Sequence, residues 1–141
     1  MSDKSIELTP EKLQTNEGVN ELNRILNDLL RDSGTTGEFF FNVNEGLKLT
    51  IASGVVTATH SRHSIDTESA GATDDLDTIN GGKEGDILII NASDSTHTVV
   101  VKDATGNISC AGDFSMDHAD DRIGLIHNGT NWIELFRSSN A

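Results

Sequence analysis

The chain has 141 residues, 35% of them hydrophobic and 4% aromatic, with 10 Lys and Arg against 23 Asp and Glu and a net charge of −13. Basic residues this sparse among acidic ones exclude a nucleic-acid surface, because phosphate contacts need clustered Lys and Arg. The length suits one β domain plus an appendage, and with no Tyr the core must be built from Ile, Val and Leu, so some apolar surface is expected between subunits.

The N-terminus, Met1-Ser2-Asp3-Lys4, lacks a basic-then-apolar leader. No apolar run approaches membrane-spanning length. The chain is expected to be made in the cytosol, to stay soluble and to avoid membranes. Cys110 is the only cysteine, so no intrachain disulfide can form. Asn107 to Gly112 offer no base to activate it, which predicts a buried strand cysteine.

Residues 1–8 are polar and read as a flexible or docked end. Thr9-Pro10-Glu11 is a helix start, with Thr9 as N-cap and Pro10 in the first turn. Gly18 is expected to interrupt this helix or mark its restart. The stronger helix covers 16–32. Its apolar residues are Val19, Leu22, Ile25, Leu26, Leu29 and Leu30. Positions 19, 22, 26 and 29 give a 3-4-3 seam, as in a coiled coil, and Ile25 and Leu30 widen it. That stripe suits three helices, or a helix packed on a sheet. The alternative is an amphipathic helix covering its own domain. Ser33-Gly34 ends it.

A three-stranded meander is predicted next, with strands at 38–43, 47–51 and 55–60 and turns at Asn44-Glu45-Gly46 and Ala52-Ser53-Gly54. Residues 67–82 read as a long acidic loop, with at most one turn at Asp74–Ile79, that crosses between subunits. A second β section follows. Strand 86–91 is paired antiparallel with 96–102 across Ala92-Ser93-Asp94-Ser95. Short strands are predicted at 107–110 and 114–116, and 117–121 is a polar loop. A hairpin closes the chain, 122–127 with 131–137, turned by Asn128-Gly129. No repeat of fixed period is evident, so a solenoid is not expected. The expected organisation is a 1–35 anchor and helix, a 36–66 meander and a 67–141 module. The fold class is mainly β: a helix, forming a trimeric coiled coil, followed by a small antiparallel β sandwich or prism-like module.

Several blocks from Ile65 onward occur in order. They are Thr73-Asp-Asp-Leu-Asp-Thr-Ile-Asn-Gly-Gly82, Gly85-Asp-Ile-Leu-Ile89, Thr98-Val-Val-Val-Lys-Asp-Ala-Thr-Gly-Asn107, Ala111-Gly-Asp-Phe114 and His127-Asn-Gly-Thr-Asn-Trp-Ile-Glu-Leu135. Together they resemble a module of virion proteins of tailed bacteriophages, and the likeness covers about half the chain. It implies a small, commonly trimeric β domain at the end of a fibre, spike or capsid-attached protein, without enzymatic activity. The short chain then suits a head fibre or decoration protein seated on a capsid, or a short fibre or adaptor near the tail. The implied partners are two further copies and a major capsid protein or tail component. The implied location is the virion, assembled in bacterial cytoplasm.

The chemistry-bearing residues form no known motif. No Gly-x-Ser-x-Gly, Walker loop or His-Glu-x-x-His occurs. His60 and His63 are three apart, on opposite faces of a strand, and His97, His118 and His127 sit on separate elements. No zinc-site spacing appears, so no metal and no cofactor are expected. Asp74, Asp75 and Asp77, and Asp117, Asp120 and Asp121, lack the glutamate that closes a calcium loop, and read as charged loop tips. Asn91, Asn107 and Asn128 head Asn-x-Ser/Thr triplets and read as turn residues. Trp132 beside the last turn is either a core aromatic or a stacking platform for a host-surface glycan, with Asp117 and His118 as polar partners and loops 67–82 and 117–121 around it. Glycan binding is thus the competing function, and a polysaccharide-cleaving enzyme a third.

Overall fold

The computed structural model describes residues 16–32 and 42–140, in two units that divide after Asn42. In the first, α1 spans Asn16–Asp32 without a break, so Gly18 lies inside it rather than interrupting it. The 3-4 spacing places Val19, Leu22 and Leu26 on one stripe, and they remain 47%, 36% and 49% exposed, with Ile25 half-buried. The side chains of Leu29 and Leu30, the Thr9 start, the Ser33-Gly34 stop and most of the expected 38–43 strand lie outside the described residues.

The second unit, Val43–Ala141, is mainly β. Its strands are β1 (Leu49–Thr50), β2 (Val55–Thr57), β3 (Arg62–Asp66), β4 (Thr73–Leu76), β5 (Thr78–Asn80), β6 (Ile87–Ala92), β7 (Thr98–Val101), β8 (Ile108–Ser109), β9 (Phe114–Met116), β10 (Arg122–His127) and β11 (Trp132–Ser138). They form three sheets, in the orders β1-β3-β6-β10-β11-β8, β2-β5 and β4-β7-β9. The chain visits the three sheets in one order, β2-β3-β4, and then again, β5-β6-β7. Each strand of the second pass lies parallel to its counterpart in the first. Val55 faces Thr78, Arg62 faces Ile89 and Thr73 faces Thr98. This is two coils of a three-sheet solenoid, about 25 residues per coil, within the range of solenoid repeats.

Several expectations are corrected by this topology. Five of the eight strand pairs are parallel, so the module is not an antiparallel sandwich. Among the described residues the expected meander pairing does not form: β1 pairs parallel with β3 and β2 parallel with β5, and β1 and β2 are linked antiparallel only through the Ala52–Val55 bridge. The stretch read as a loop at 67–82 holds a 3-10 turn (Glu68–Ala70), β4 and β5. β6 and β7 belong to different sheets. The Asp94 carboxylate accepts from both the backbone N–H and the hydroxyl of Thr96, 2.6 Å each, which fixes a corner rather than a hairpin reversal. Residues of the expected meander and of the expected module share one core.

After β7 the coil stops. β9 lies antiparallel on β7, β10 antiparallel on β6, and β11 returns along β10. The predicted closing hairpin is present. The Asn128 side chain accepts from the N–H groups of Thr130 and Asn131, and Gly129 takes a left-handed φ of 97°. Of the second-coil strands, β5 alone gains no further strand, and its edge is met by a side chain. The Asn107 amide donates to the Ile79 carbonyl at 2.7 Å and accepts the Ile79 N–H at 2.9 Å, as a neighbouring strand would.

Alternation fills the interior. Leu88, Ile90 and Ala92 of β6, Val99 and Val101 of β7 and Ile123 and Leu125 of β10 point inward and are fully buried. Side chains stack between coils: Val56 with Ile79, Leu76 with Val101, and Ile65 with Ala92. Each such aliphatic side chain contributes about 1.5–3 kcal/mol on burial.

Candidate functional site

Two of the module's three sheets hand the chain over at a corner where the β2–β3 connection lies beside the β5–β6 connection. A cavity of about 270 Å³ opens there, lined by Ala58 to Ser61, Gly81, Lys83, Asp86, Ile87 and Trp132. His60, Ser61 and Lys83 are exposed. The Asp86 carboxylate accepts the Lys83 backbone N–H at 3.1 Å, and His127 N–H donates to the Asp86 carbonyl at 2.9 Å. The corner is therefore a fixed frame with a basic and an acidic side chain at its mouth.

Trp132 forms its inner wall, and this corrects the stacking-platform expectation. The indole is only 2% exposed. Its Nε1–H donates to the Ile79 carbonyl at 3.0 Å, and its ring meets His127 edge-on, with centroids 4.9 Å apart. A Cβ on Gly82 would overlap the indole, so Gly82 is the residue that lets the ring seat this deeply. No ring face remains for a sugar.

Asp117 and His118 do not join Trp132. They precede β10, whereas Trp132 pairs with His127 at its far end. Six residues of strand separate the two ends by about 17 Å. Their loop is organised by Asp121, which sequence reading treated only as a charged tip. The Asp121 carboxylate is fully buried and accepts from the N–H groups of Asp117 and His118, 3.0 Å each, and of Asn140, 2.6 Å. Burial alone would raise its pKa. The three backbone donors together outweigh burial and hold it below the ordinary carboxylate range.

The histidines separate: His60 is exposed in the bend before β3, and His63 within β3 is completely buried. His63 Nε2 accepts the N–H groups of Thr59 and His60, 3.0 Å each, so Nδ1 carries the proton and donates to the Leu47 carbonyl at 2.7 Å. It occupies a core position opposite Ile90 and acts as a polar tie for the 47 and 59–60 segments. Asp66 forms a second tie. Its carboxylate takes the Lys48 ammonium at 2.6 Å and His97 Nδ1 at 2.8 Å. The Lys48 hydrogen bond, followed by that of His97, lowers its pKa to about 2. Asp74 is spent on the N–H groups of Glu68 and Asp75. Among the described residues no group of three His, Cys, Asp or Glu side chains is placed to hold a metal. Cys110 sits just past β8, half-buried rather than buried, and burial pushes its thiol up to about 11.

A second apolar surface lies on the outer side of the six-stranded sheet. Strands β6 and β10 carry apolar side chains outward as well as inward. The register places Ile87, Ile126 and Ile133 in one row across β6, β10 and β11, and Ile89, Gly124 and Phe136 in the next. The Phe136 ring lies over Gly124, where a Cβ would collide with it. Ile87, Phe136 and the neighbouring Leu135 remain 43%, 46% and 52% exposed. The uninterrupted Ile87–Ile90 and Ile123–Ile126 runs, apolar at both parities, are the sequence signal of this second face. Comparison with protein-family models, with curated proteins and with solved structures finds no match.

Proposed function

We propose that the chain is a structural, non-enzymatic virion protein of a tailed bacteriophage, a short trimeric fibre or decoration protein attached to the capsid and exposed on the particle. The observation that carries the self-assembly part is the α1 stripe. Val19, Leu22 and Leu26 hold a 3-4 seam and keep about a third to a half of their surface in water. Burying it among three helices removes about 200 Å² per chain, about 5 kcal/mol before ordering costs. The virion part rests on the resemblance of residues 65–135. In this reading residues 1–34 anchor the protein and the solenoid module projects. A net charge of −13 per copy then favours a dispersed, soluble surface.

Light scattering on the full chain tests the reading. The expected mass is three times the 15.1 kDa chain, and Leu22→Glu with Leu26→Glu is expected to give monomers. A full-length monomer at high concentration sinks it.

A second reading, a short tail fibre that grips a host-surface glycan, is favoured by the corner cavity. About 270 Å³ accommodates one sugar ring, and the Lys83 and Asp86 groups at its mouth supply a donor and an acceptor for hydroxyls. Trp132 does not stack in this version. Loss of glycan binding in Lys83→Ala with Asp86→Ala would support it, and unchanged binding would refute it.

A further inference from the structure

We infer that the tip of the closing hairpin is a self-modifying site, at which Asn128 loses its side-chain amide as ammonia and closes to a succinimide with Gly129. The inference is independent of the assembly and glycan readings above. A glycine after an asparagine leaves the attacking backbone nitrogen unshielded, because no Cβ stands beside it. The chain holds two such pairs, Asn80-Gly81 and Asn128-Gly129, and all four residues are exposed. The second pair is equipped for the reaction. The Gly129 N–H donates to His127 Nδ1 at 3.1 Å, so a base already holds the proton that must leave the nucleophile. Asn128 Oδ1 accepts the N–H groups of Thr130 at 3.0 Å and Asn131 at 2.8 Å, two donors aimed at the atom where negative charge develops. At the first pair the Asn80 carbonyl accepts the Ala58 N–H at 2.9 Å, and among the described residues no side chain accepts the Gly81 N–H.

The fold fixes the base. The His127 carbonyl accepts the Gly85 N–H at 2.8 Å, its N–H donates to Asp86, and its ring is wedged between Gly82 and the edge of Trp132. With Nδ1 accepting, the neutral ring carries its proton on Nε2. The charged groups near it belong to the β5–β6 connection: Lys83, Asp86, and Glu84, whose carboxylate lies 4.0 Å from where a Gly129 Cβ would stand. In the reaction the Gly129 N–H proton passes to His127 Nδ1, and the nitrogen lone pair forms a bond to Asn128 Cγ. The carbonyl electron pair moves to Oδ1, between the two N–H donors. Its return breaks the bond to Nδ2, which takes the proton from the imidazolium and leaves as ammonia. Water then adds to either imide carbonyl and opens the ring to an aspartyl or an isoaspartyl residue at position 128. The isoaspartyl product inserts a methylene into the main chain, in the turn that holds His127 opposite Trp132. The site thus ties the age of the molecule to the inner wall of the corner cavity.

The test is peptide-mapping mass spectrometry of the full chain incubated at pH 7, following conversion of amide to acid at Asn128 and at Asn80 in the same molecules. In the native protein Asn128 is expected to convert at least about tenfold faster than Asn80, and in urea, where base and donors are lost, within about threefold of it. His127→Gln keeps an acceptor for the Gly129 N–H but supplies no base. It should slow Asn128 by about tenfold or more and leave Asn80 unchanged. Emission of Trp132, the only tryptophan, reports whether this variant is folded. A second measurement needs no variant. Between pH 8 and pH 9 a neutral imidazole gains no further basicity, so the native Asn128 rate should change by less than about twofold, whereas Asn80, which relies on hydroxide, should rise about tenfold. Equal native rates at the two sites, a native excess that survives in urea, an unslowed Asn128 in folded His127→Gln, or a rise at Asn128 matching that at Asn80 overturns the inference.

Discussion

Asn107 should be worth far more than a half-exposed turn residue. Its amide stands in for a missing strand on β5, accepting the Ile79 N–H at 2.9 Å and donating to the Ile79 carbonyl at 2.7 Å. Ile79 is 1% exposed, so water cannot replace a lost partner. In Asn107→Ala the Ile79 N–H is left unsatisfied, which costs about 1–3 kcal/mol, while the carbonyl keeps the Trp132 indole N–H and loses only one of two bonds, about 1 kcal/mol. The total is about 2–4 kcal/mol, or about 10–25 °C in Tm for a unit of this size. Asn107→Asp gives the sign a second check. One carboxylate oxygen still accepts from Ile79 N–H, but the other faces the Ile79 carbonyl, acceptor against acceptor. At pH 7 the Asp variant should therefore be less stable than the Ala variant, and it should recover as acid protonates the carboxyl and restores a donor. Urea unfolding followed by Trp132 emission at pH 7 and at mildly acidic pH measures all three proteins. An Ala variant within about 0.5 kcal/mol of wild type, or an Asp variant more stable than Ala at pH 7, would refute the edge-cap reasoning.

Gly46→Ala should destabilise the module by about 2–4 kcal/mol, because the new Cβ would overlap the buried His63 ring and displace its hydrogen bonds; a denaturation midpoint matching wild type would contradict this. Asp66 has a folded pKa of about 2 against an ordinary 3.8, so its contribution is complete above about pH 4 and is lost as pH falls toward 2. Asp66→Asn should thus be less stable than wild type at pH 7, with the gap closing across that window; a gap that persists at pH 2 would count against the Lys48–Asp66–His97 tie. With its thiol pushed from 9.0 up to about 11, Cys110 should carry about a hundredfold less thiolate at pH 8 in the native protein. Its reaction with a disulfide reagent should accelerate by about that factor in denaturant, and native and denatured rates within tenfold of each other would be inconsistent with the burial.

The sequence by itself determined whatever depends on local chemistry. The 3-4 spacing of Val19, Leu22 and Leu26 specified α1, the short apolar runs at 87–90, 99–101 and 123–126 marked β6, β7 and β10 as strands, and Asn128-Gly129 specified the closing turn. Each is a property of a few adjacent residues. Pairing direction was decided only by tertiary structure. A short alternating strand buries the same side chains whether its neighbour runs parallel or antiparallel, so Thr73–Leu76 and Thr78–Asn80 looked like loop until β7 and β2 lay beside them. The solenoid step was hidden for the same reason. The coils share an interior of interchangeable Ile, Val and Leu and no residue-by-residue repeat, with His63 even occupying the position of Ile90. The candidate surfaces followed the same division. The indole of Trp132 lies between β5 and β10, and the rows of Ile87, Ile126 and Ile133 join residues far apart in the chain. Register, which depends on the whole packed sheet, is what places them together.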